Sequence, residues 1–196
     1  MDTTGQLNEY NERKAFPSQV LCMSLGEIPP GEIRSQFLAV GVDQRISIIS
    51  LDLNECMSEL TRQAFTSCPE SITMAELGGG GRDLNFISQL YLNVGLQNGE
   101  LVRTRLDRVS GDLKEPLRRY LGTKPVNLFN IRVRDRQALL ACSNKSWLVH
   151  SHQGRCQLSP LAYEPFDFAS SFSSPLVPEG IIAISGSTLG CCRWRD

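Results

Sequence analysis

Hydrophobic positions in this chain occur as short runs or in alternation with polar ones, and Gly, Pro, Asn and Asp separate the runs. This pattern is typical of strands joined by turns. The clearest unit is YLNVGLQNGELVRTRLD, residues 91–107, which has two alternating segments around Asn98–Gly99. An Asn-Gly pair favours the positive φ angles of a tight hairpin turn. We therefore predict a β-hairpin over 91–107.

The hairpin is one of four. An extended run precedes each hairpin, and the first strand of each hairpin ends in a small-residue motif: AVG, NVG, ACS or AIS. The central residues of these motifs, Val40, Val94, Cys142 and Ile184, are 54, 48 and 42 residues apart. The extended runs are 19–25, 71–77, 125–133 and 167–172, and the hairpins are 37–51, 91–107, 138–151 and 180–192.

A repeat of about 40 to 50 residues with three or four strands predicts propeller blades. The expected fold is all-β, a partial WD40-like β-propeller of about three to four antiparallel four-stranded blades. The small-residue strands should run near the crowded central channel, where neighbouring blades meet. An antiparallel β-sandwich with coincidental strand spacing fits the same pattern and is the alternative. We assign 1–16 to a polar N-terminal segment, 17–189 to blades and 190–196 to a divergent tail.

One segment, NECMSELTRQAF at 54–65, lacks the alternation of the other runs. Its scattered apolar positions predict a single helical turn or a loop.

Charge and hydropathy exclude several classes of protein. The formal net charge of -1 provides no overall attraction to nucleic acid or acidic lipid. The apolar runs are far shorter than the roughly 20 residues that span a bilayer. The first residues, MDTTGQLNEYNERK, are polar and carry both charges, unlike a signal or transit peptide. We expect a soluble protein of the cytosol or nucleus.

Candidate metal ligands cluster once, where His150 and His152 lie near Cys142 and Cys156. Residues two apart on a strand share a face, so the two imidazoles could point the same way. A structural zinc site normally shows tighter paired spacings of the CxxC type. The simpler interpretation is a strand that ends in the polar turn SHQGR.

Two other motifs carry little chemistry. The run Gly78–Gly81 lacks the Lys-Ser/Thr of a phosphate-binding loop, and we predict a flexible loop. Cys191 and Cys192 alternate faces on a strand, so they cannot easily chelate one ion. The chain has seven cysteines in irregular spacing, which predicts reduced structural thiols. We predict no catalytic, cofactor-binding or metal-binding residue, no cofactor and no enzyme activity.

Several segments resemble the splicing factor 3b subunit 3 family. They are GQLNEYNERK, LCMSLGEIPPGEIRSQFLAVGV, YLNVGLQNGELVRTRLDRVSGDLKEPLRRYLGTKPVNLF, SWLVHSHQGRCQLSPLAYEPFDFAS and PEGIIAIS, and the likeness runs from residue 5 to about 189. The family consists of large triple-propeller scaffolds related to damage-specific DNA-binding protein 1 and the largest cleavage and polyadenylation specificity subunit. The resemblance implies a central fragment, from the second-propeller region towards the third.

The resemblance also implies a function. Members of this type are non-catalytic scaffolds of pre-mRNA splicing, in the splicing factor 3b complex of the U2 snRNP that recognises the branch site. The implied partners are the other splicing factor 3b subunits and U2 snRNP proteins, with indirect or weak RNA contact, no membrane and no small-molecule substrate. The implied location is the nucleus. The alternatives are an adaptor of a cullin ubiquitin ligase or DNA-damage recognition complex, a 3′-end processing subunit, and a zinc enzyme that uses the His150/Cys156 region.

Both ends of the chain depart from the family pattern. The tail GCCRWRD replaces an expected apolar strand, and the family has residues before the equivalent of Met1. We expect a truncated product, an alternative transcript or an incomplete gene model. A partial propeller leaves unpaired strand edges at its terminal blades.

Overall fold

The computed structural model of the chain describes residues 13–29, 31–77, 89–133, 136–152 and 155–193. The regular elements in these ranges are all strands. The described residues contain no helix that is long and apolar enough to cross a membrane. The predicted loop Gly78–Gly81 lies outside the described residues. The strands are β1 (Val20–Leu25), β2 (Phe37–Val42), β3 (Arg45–Ser50), β4 (Glu59–Ala64), β5 (Pro69–Leu77), β6 (Gln89–Leu96), β7 (Glu100–Leu106), β8 (Leu113–Tyr120), β9 (Asn127–Val133), β10 (Arg136–Cys142), β11 (Ser146–His152), β12 (Arg155–Pro160), β13 (Phe168–Phe172), β14 (Gly180–Ser185) and β15 (Thr188–Arg193).

The strands form four antiparallel sheets in chain order, which we call blades 1 to 4. Blade 1 is β1–β4, blade 2 is β5–β8, blade 3 is β9–β12 and blade 4 is β13–β15. The predicted all-β partial propeller and its fourfold repeat are thereby confirmed. The sandwich alternative is wrong, because β6 and β10 are buried along both faces and a two-sheet sandwich buries one face of each strand. The division of the chain at residues 16 and 189 stays a prediction.

The predicted blades have four strands, but the sequence pattern did not locate the fourth strand of any blade. The predicted helical turn or loop at 54–65 is wrong for Glu59–Ala64, which is β4 and pairs with β3. Leu60 packs inward against the core while Arg62 is exposed. The few apolar residues of this outermost strand conceal the alternation, because most of its surface faces water.

Blades pack face to face around their first strands. β1 contacts β5, β5 contacts β9, and β9 contacts β13, so these four strands lie innermost. The small-residue strands β2, β6 and β10 are the second strands, one position further from the axis than we predicted. Consecutive residues of β10 serve two cores: Leu139 and Ala141 face blade 2, while Leu140 and Cys142 face blade 4. Blades 2 and 3 therefore each contribute residues to two hydrophobic cores, one on each face of the sheet.

The last residue of the small-residue motif explains why the motif is small. In blade 1 a Cβ on Gly41 would come within 2.9 Å of Pro69 Cγ on the next blade. In blade 2 a Cβ on Gly95 would overlap the carbonyl oxygen of Val126, in the connection to blade 3. Side chains are excluded here because the next blade or its connection lies against the backbone.

Blades 3 and 4 use the same position differently. Ser143 Oγ donates a 2.7 Å hydrogen bond to the Lys124 carbonyl. Ser185 Oγ donates one of 3.0 Å to the Pro165 carbonyl. Each hydroxyl binds the connection that enters its own blade. The last position of the motif is therefore either a glycine in close contact with the next blade or a serine bonded to its own blade's connection.

We expect Gly95→Ala to destabilise the fold by about 1–3 kcal/mol, since overpacking a dense site typically costs that much. The control is Gly190→Ala in β15, where an added Cβ would have its nearest neighbour 4.0 Å away. That variant should stay within about 0.5 kcal/mol of the wild type. Urea unfolding followed by circular dichroism measures both. Equal destabilisation of the two variants would contradict the steric account.

Candidate interaction surface

Three members of the predicted histidine–cysteine cluster, Cys142, His150 and Cys156, are divided between the two faces of blade 3, and the side chain of His152 lies outside the described residues. Cys142 is buried in the core shared with blade 4, and Cys156 packs against the core shared with blade 2. Cys156 pairs with Ser151 across the sheet, so its side chain and that of His150 project from opposite faces. In the ranges that the structure describes, no group of three or more His, Cys, Asp or Glu side chains could hold a metal ion.

The cysteines are all free thiols. Burial, with a smaller contribution from Glu70, raises the pKa of Cys22 to about 12. Burial also raises the pKa of Cys142 and of Cys156. Because the thiolate is the nucleophile and the metal ligand, these three residues behave as small hydrophobic groups at neutral pH.

A polar cluster ties blades 1, 2 and 3 together at one end of the innermost strands. Burial raises the pKa of Glu27, which follows β1, and the Glu76 carboxylate adds to the effect. A hydrogen bond from the Gln137 side chain and the charges of Arg108 and Arg132 act against it. Arg108 also forms an ion pair with Glu76. The cluster links side chains of three blades through charge and hydrogen bonding.

The outer side of blade 1 carries an open cleft of about 800 Å³ between residues 13–14 and 53–60. Lys14 Nζ donates a 3.1 Å hydrogen bond to the Met57 carbonyl. Hydrogen bonds from Arg62 and, less strongly, Ser47 lower the pKa of Glu59 to about 2. The cleft carries charges of both signs and is open to solvent, so nothing in its lining selects one class of ligand.

Among the strands whose burial is fully described, β8 at the outer edge of blade 2 is the most exposed. We call its residues 114–120 the blade 2 ridge. Every side chain of the ridge is exposed, including Leu117 and Tyr120, the latter at 65%. Arg118 and Arg119 lie beside Tyr120, and arginine and tyrosine are enriched in protein–protein interfaces. The ridge therefore combines exposed arginine, tyrosine and leucine side chains in a composition that suits contact with another protein.

The ridge is protected against strand pairing. Glu115 has a positive φ of 55°, and the pairing of β7 with β8 shifts register between Arg103 and Arg105. Pro116 removes one backbone donor. Bulges and prolines at an edge discourage the addition of another strand, so this edge presents side chains rather than backbone.

Sequence reasoning did not identify the ridge. LKEPLRRY alternates poorly and contains Pro116, so it does not resemble the other strands. The signal was present as a proline and two adjacent arginines between a hairpin and the next blade.

Four successive meander sheets, packed through their first strands, define a β-propeller protein. Two crystal structures of BBS1N in complex with ARL6DN, soaked with lead and with mercury, superpose on the chain with TM-scores of 0.52 and 0.53 at 16% sequence identity. They cover 85% and 89% of this chain, which matches 49% and 50% of theirs. At this identity the likeness concerns the fold alone.

The chain belongs to the RSE1/DDB1/CPSF1 second β-propeller family, whose model matches residues 1–194. It is 51% identical to splicing factor 3B subunit 3 of Danio rerio and 47% identical to that of Drosophila melanogaster, each over 96% of the chain. Pre-mRNA-splicing factor RSE1 of Mycosarcoma maydis is 44% identical over the same share. The chain spans 16–17% of the length of these relatives.

The free energy of unfolding of Glu27→Gln, relative to that of the wild type, should be more favourable to the variant at pH 7 than at pH 4. The raised pKa of Glu27 means that folding favours the protonated acid. That stabilisation is complete below the ordinary carboxyl pKa and is lost as the pH rises through the folded-state value. Glutamine never ionises, so the stability difference between variant and wild type should grow with pH.

Urea unfolding at pH 4 and pH 7 measures this difference. The control is Glu32→Gln, which removes an exposed carboxylate from the loop after β1. A Glu27→Gln difference that is the same at both pH values would contradict the burial of that carboxyl group.

Proposed function

We propose that this chain is a non-catalytic interaction module of pre-mRNA splicing in the nucleus, acting in the splicing factor 3b complex of the U2 snRNP. The observation that carries the proposal is its relatedness to proteins named as splicing factors. Identity is 39–51% over 94–96% of the chain in animals, plants and fungi. Similarity of this extent along all four blades favours a shared role over a shared fold alone.

The structure supports a role based on shape. Three hydrophobic cores hold neighbouring blades to one another, so surface residues on different blades keep fixed relative positions. The blade 2 ridge extends outward from this rigid sector. Its arginines and Tyr120 suit a partner surface with carboxylates and exposed apolar groups.

A scaffold is also the function that the thiols and histidines favour. Cys22, Cys142 and Cys156 have pKa values raised by burial, which suppresses nucleophilic thiolate. The His150 and Cys156 side chains lie on opposite faces of blade 3, a poor arrangement for a joint zinc site. These features support packing roles for residues that could otherwise carry chemistry.

Affinity purification of the tagged chain from nuclear extract tests the proposal. We expect the other splicing factor 3b subunits and U2 snRNP proteins to be enriched in the mass spectrum. Enrichment of a cullin scaffold would favour the ubiquitin-ligase adaptor, and enrichment of 3′-end processing factors would favour that alternative. Recovery of the folded chain without any splicing protein would contradict the proposal.

The ridge can be tested in the same purification with Arg118→Glu/Arg119→Glu. The loss of one interface hot spot costs about 2 kcal/mol, which weakens binding roughly 30-fold, so we expect the affinity for splicing proteins to fall by at least that factor. The control is Arg34→Glu, which reverses an exposed charge in the loop between β1 and β2. Equal recovery with both variants would show that partners bind elsewhere on the sector.

A further inference from the structure

Two neighbouring polar side chains of blade 2 are buried without a hydrogen-bond partner. Thr73 of β5 and Asn93 of β6 are 7% and 0% exposed. The Thr73 hydroxyl and both the oxygen and the nitrogen of the Asn93 amide bond to no residue in the ranges that the structure describes. The two residues pair directly across the sheet, which puts their Cβ atoms about 4.5–5.5 Å apart.

Strand alternation shows which way Thr73 and Asn93 point. The residues on either side of them in β5 and β6 belong to the hydrophobic core shared with blade 1: Ile72, Met74, Leu92 and Val94. Successive side chains of a strand point to opposite faces of the sheet. Thr73 and Asn93 therefore point toward blade 3, into the interface of blades 2 and 3.

Two residues of blade 3 enter the same interface from the opposite side. Trp147 packs against the hydrophobic core between blades 2 and 3, and its buried Nε1 has no partner among the described residues. Gln137 precedes Leu139, a member of that core, by two positions and so shares its face. Its Oε1 is unpartnered as well. Of the seven such buried atoms in the described ranges, five belong to this interface.

The interface of blades 1 and 2 satisfies its buried polar groups directly. Thr104, 1% exposed, donates a 3.3 Å hydrogen bond from Oγ1 to Gln63 Oε1 on blade 1. Ser24 Oγ on blade 1 accepts a 3.2 Å hydrogen bond from the Met74 N–H. Both interfaces pack one sheet face on another around an apolar core. The unpartnered atoms are therefore a property of the second interface, not of blade packing in general.

We propose that the interface of blades 2 and 3 is an internal water-binding site, with Thr73 and Asn93 sharing one ordered water. A buried hydroxyl or amide without a partner destabilises a fold, and buried polar groups in native proteins bond to protein or to ordered water. Two hydrogen bonds of about 2.8 Å from one water reach across the separation of directly opposed side chains.

The chemistry of the two side chains selects water over an ion. The Asn93 amide offers one acceptor oxygen and two donor hydrogens, and the Thr73 hydroxyl both donates and accepts. An anion would leave the Asn93 oxygen without a donor, and a cation would leave the Asn93 nitrogen without an acceptor. Water donates and accepts, so it satisfies both residues at once.

Arg103 covers the side of the site nearer the rim of the blade. It pairs with Asn93 from β7, so Thr73, Asn93 and Arg103 form one cross-strand row. The Arg103 guanidinium lies 4.7 Å from the centre of the Tyr91 ring and donates a hydrogen bond to Cys156 of blade 3. A water on Asn93 is thereby separated from the rim by a contact between the two blades, and we expect it to exchange slowly with solvent.

Magnetic cross-relaxation between water and an isotope-labelled sample of the chain tests for the bound water. The side-chain amide protons of Asn93 should show nuclear Overhauser effects of the sign given by a water that tumbles with the protein. The control is the exposed side chain of Asn98, which bonds to Glu100 and should show only the signal of mobile surface water. A folded wild type without a long-lived water at Asn93 would overturn the proposal.

The sign of a stability change supplies a second test. Thr73→Val replaces the hydroxyl by a methyl group of similar size. Removal of a hydroxyl that bonds to nothing should stabilise the fold, whereas removal of one that binds water should raise the equilibrium constant of unfolding about fivefold. Urea unfolding measures this constant. A value for Thr73→Val equal to or below that of the wild type would refute the site.

A double-mutant cycle tests whether the two residues share their water. The effects of Thr73→Val and Asn93→Leu should not multiply, and the double variant should unfold about fivefold less readily than the product of the single effects. The control is Thr104→Val, whose hydroxyl bonds directly to Gln63. Its effect should multiply with that of Asn93→Leu to within about twofold.

Multiplicative effects of Thr73→Val and Asn93→Leu would exclude a shared water even if each variant is less stable than the wild type. If Asn93→Leu does not fold, the cross-relaxation of the wild type and the stability of Thr73→Val still decide the proposal. None of these outcomes depends on the splicing role.

Discussion

The burial of the second strands on both faces is the constraint on which the rest of the structure depends. A strand buried on one side can alternate apolar and polar residues, but β6 and β10 are buried at consecutive positions, so both of their faces carry apolar or small residues there. Two hydrophobic cores consequently share one layer of backbone. Displacing a blade would disturb both of the cores that it separates, so neighbouring blades constrain each other's orientation. This coupling makes a rigid surface possible without a single central core.

The sequence was informative where this constraint operates and weak where it ends. The first three strands of each blade were predictable, because their apolar runs reflect burial between blades. β4 and β8 were not predictable, because outer strands face water. Their many polar residues obscure the apolar alternation that identifies a strand. Charge and proline content hid β8, which is also the strand that forms the ridge. The candidate interaction surface therefore lay in a segment with a weak structural signal.

The structure separates reactive residue types that lie close together in the sequence. Cys142 and Cys156 are close along the chain, but the sheet directs them into different cores. Successive side chains of a strand point to opposite faces of the sheet. Residues that are close in the sequence of a β protein can therefore be far apart in its structure. Glu27 and Gln137 show the converse, since the curvature of the sector brings residues of blades 1 and 3 into contact.

The final position of the small-residue motif has a consequence for how the blades could diverge. At Gly41 and Gly95 the neighbouring chain occupies the space that a side chain would need, whereas Ser143 and Ser185 fill that space with a hydroxyl bonded to their own connection. Exchange of the two residue types is therefore unequal in its effects: serine in place of glycine would push two blades apart, while glycine in place of serine would only release a loop. Blades that share one strand order therefore have positions that are not interchangeable, and each blade is specific to its place in the order.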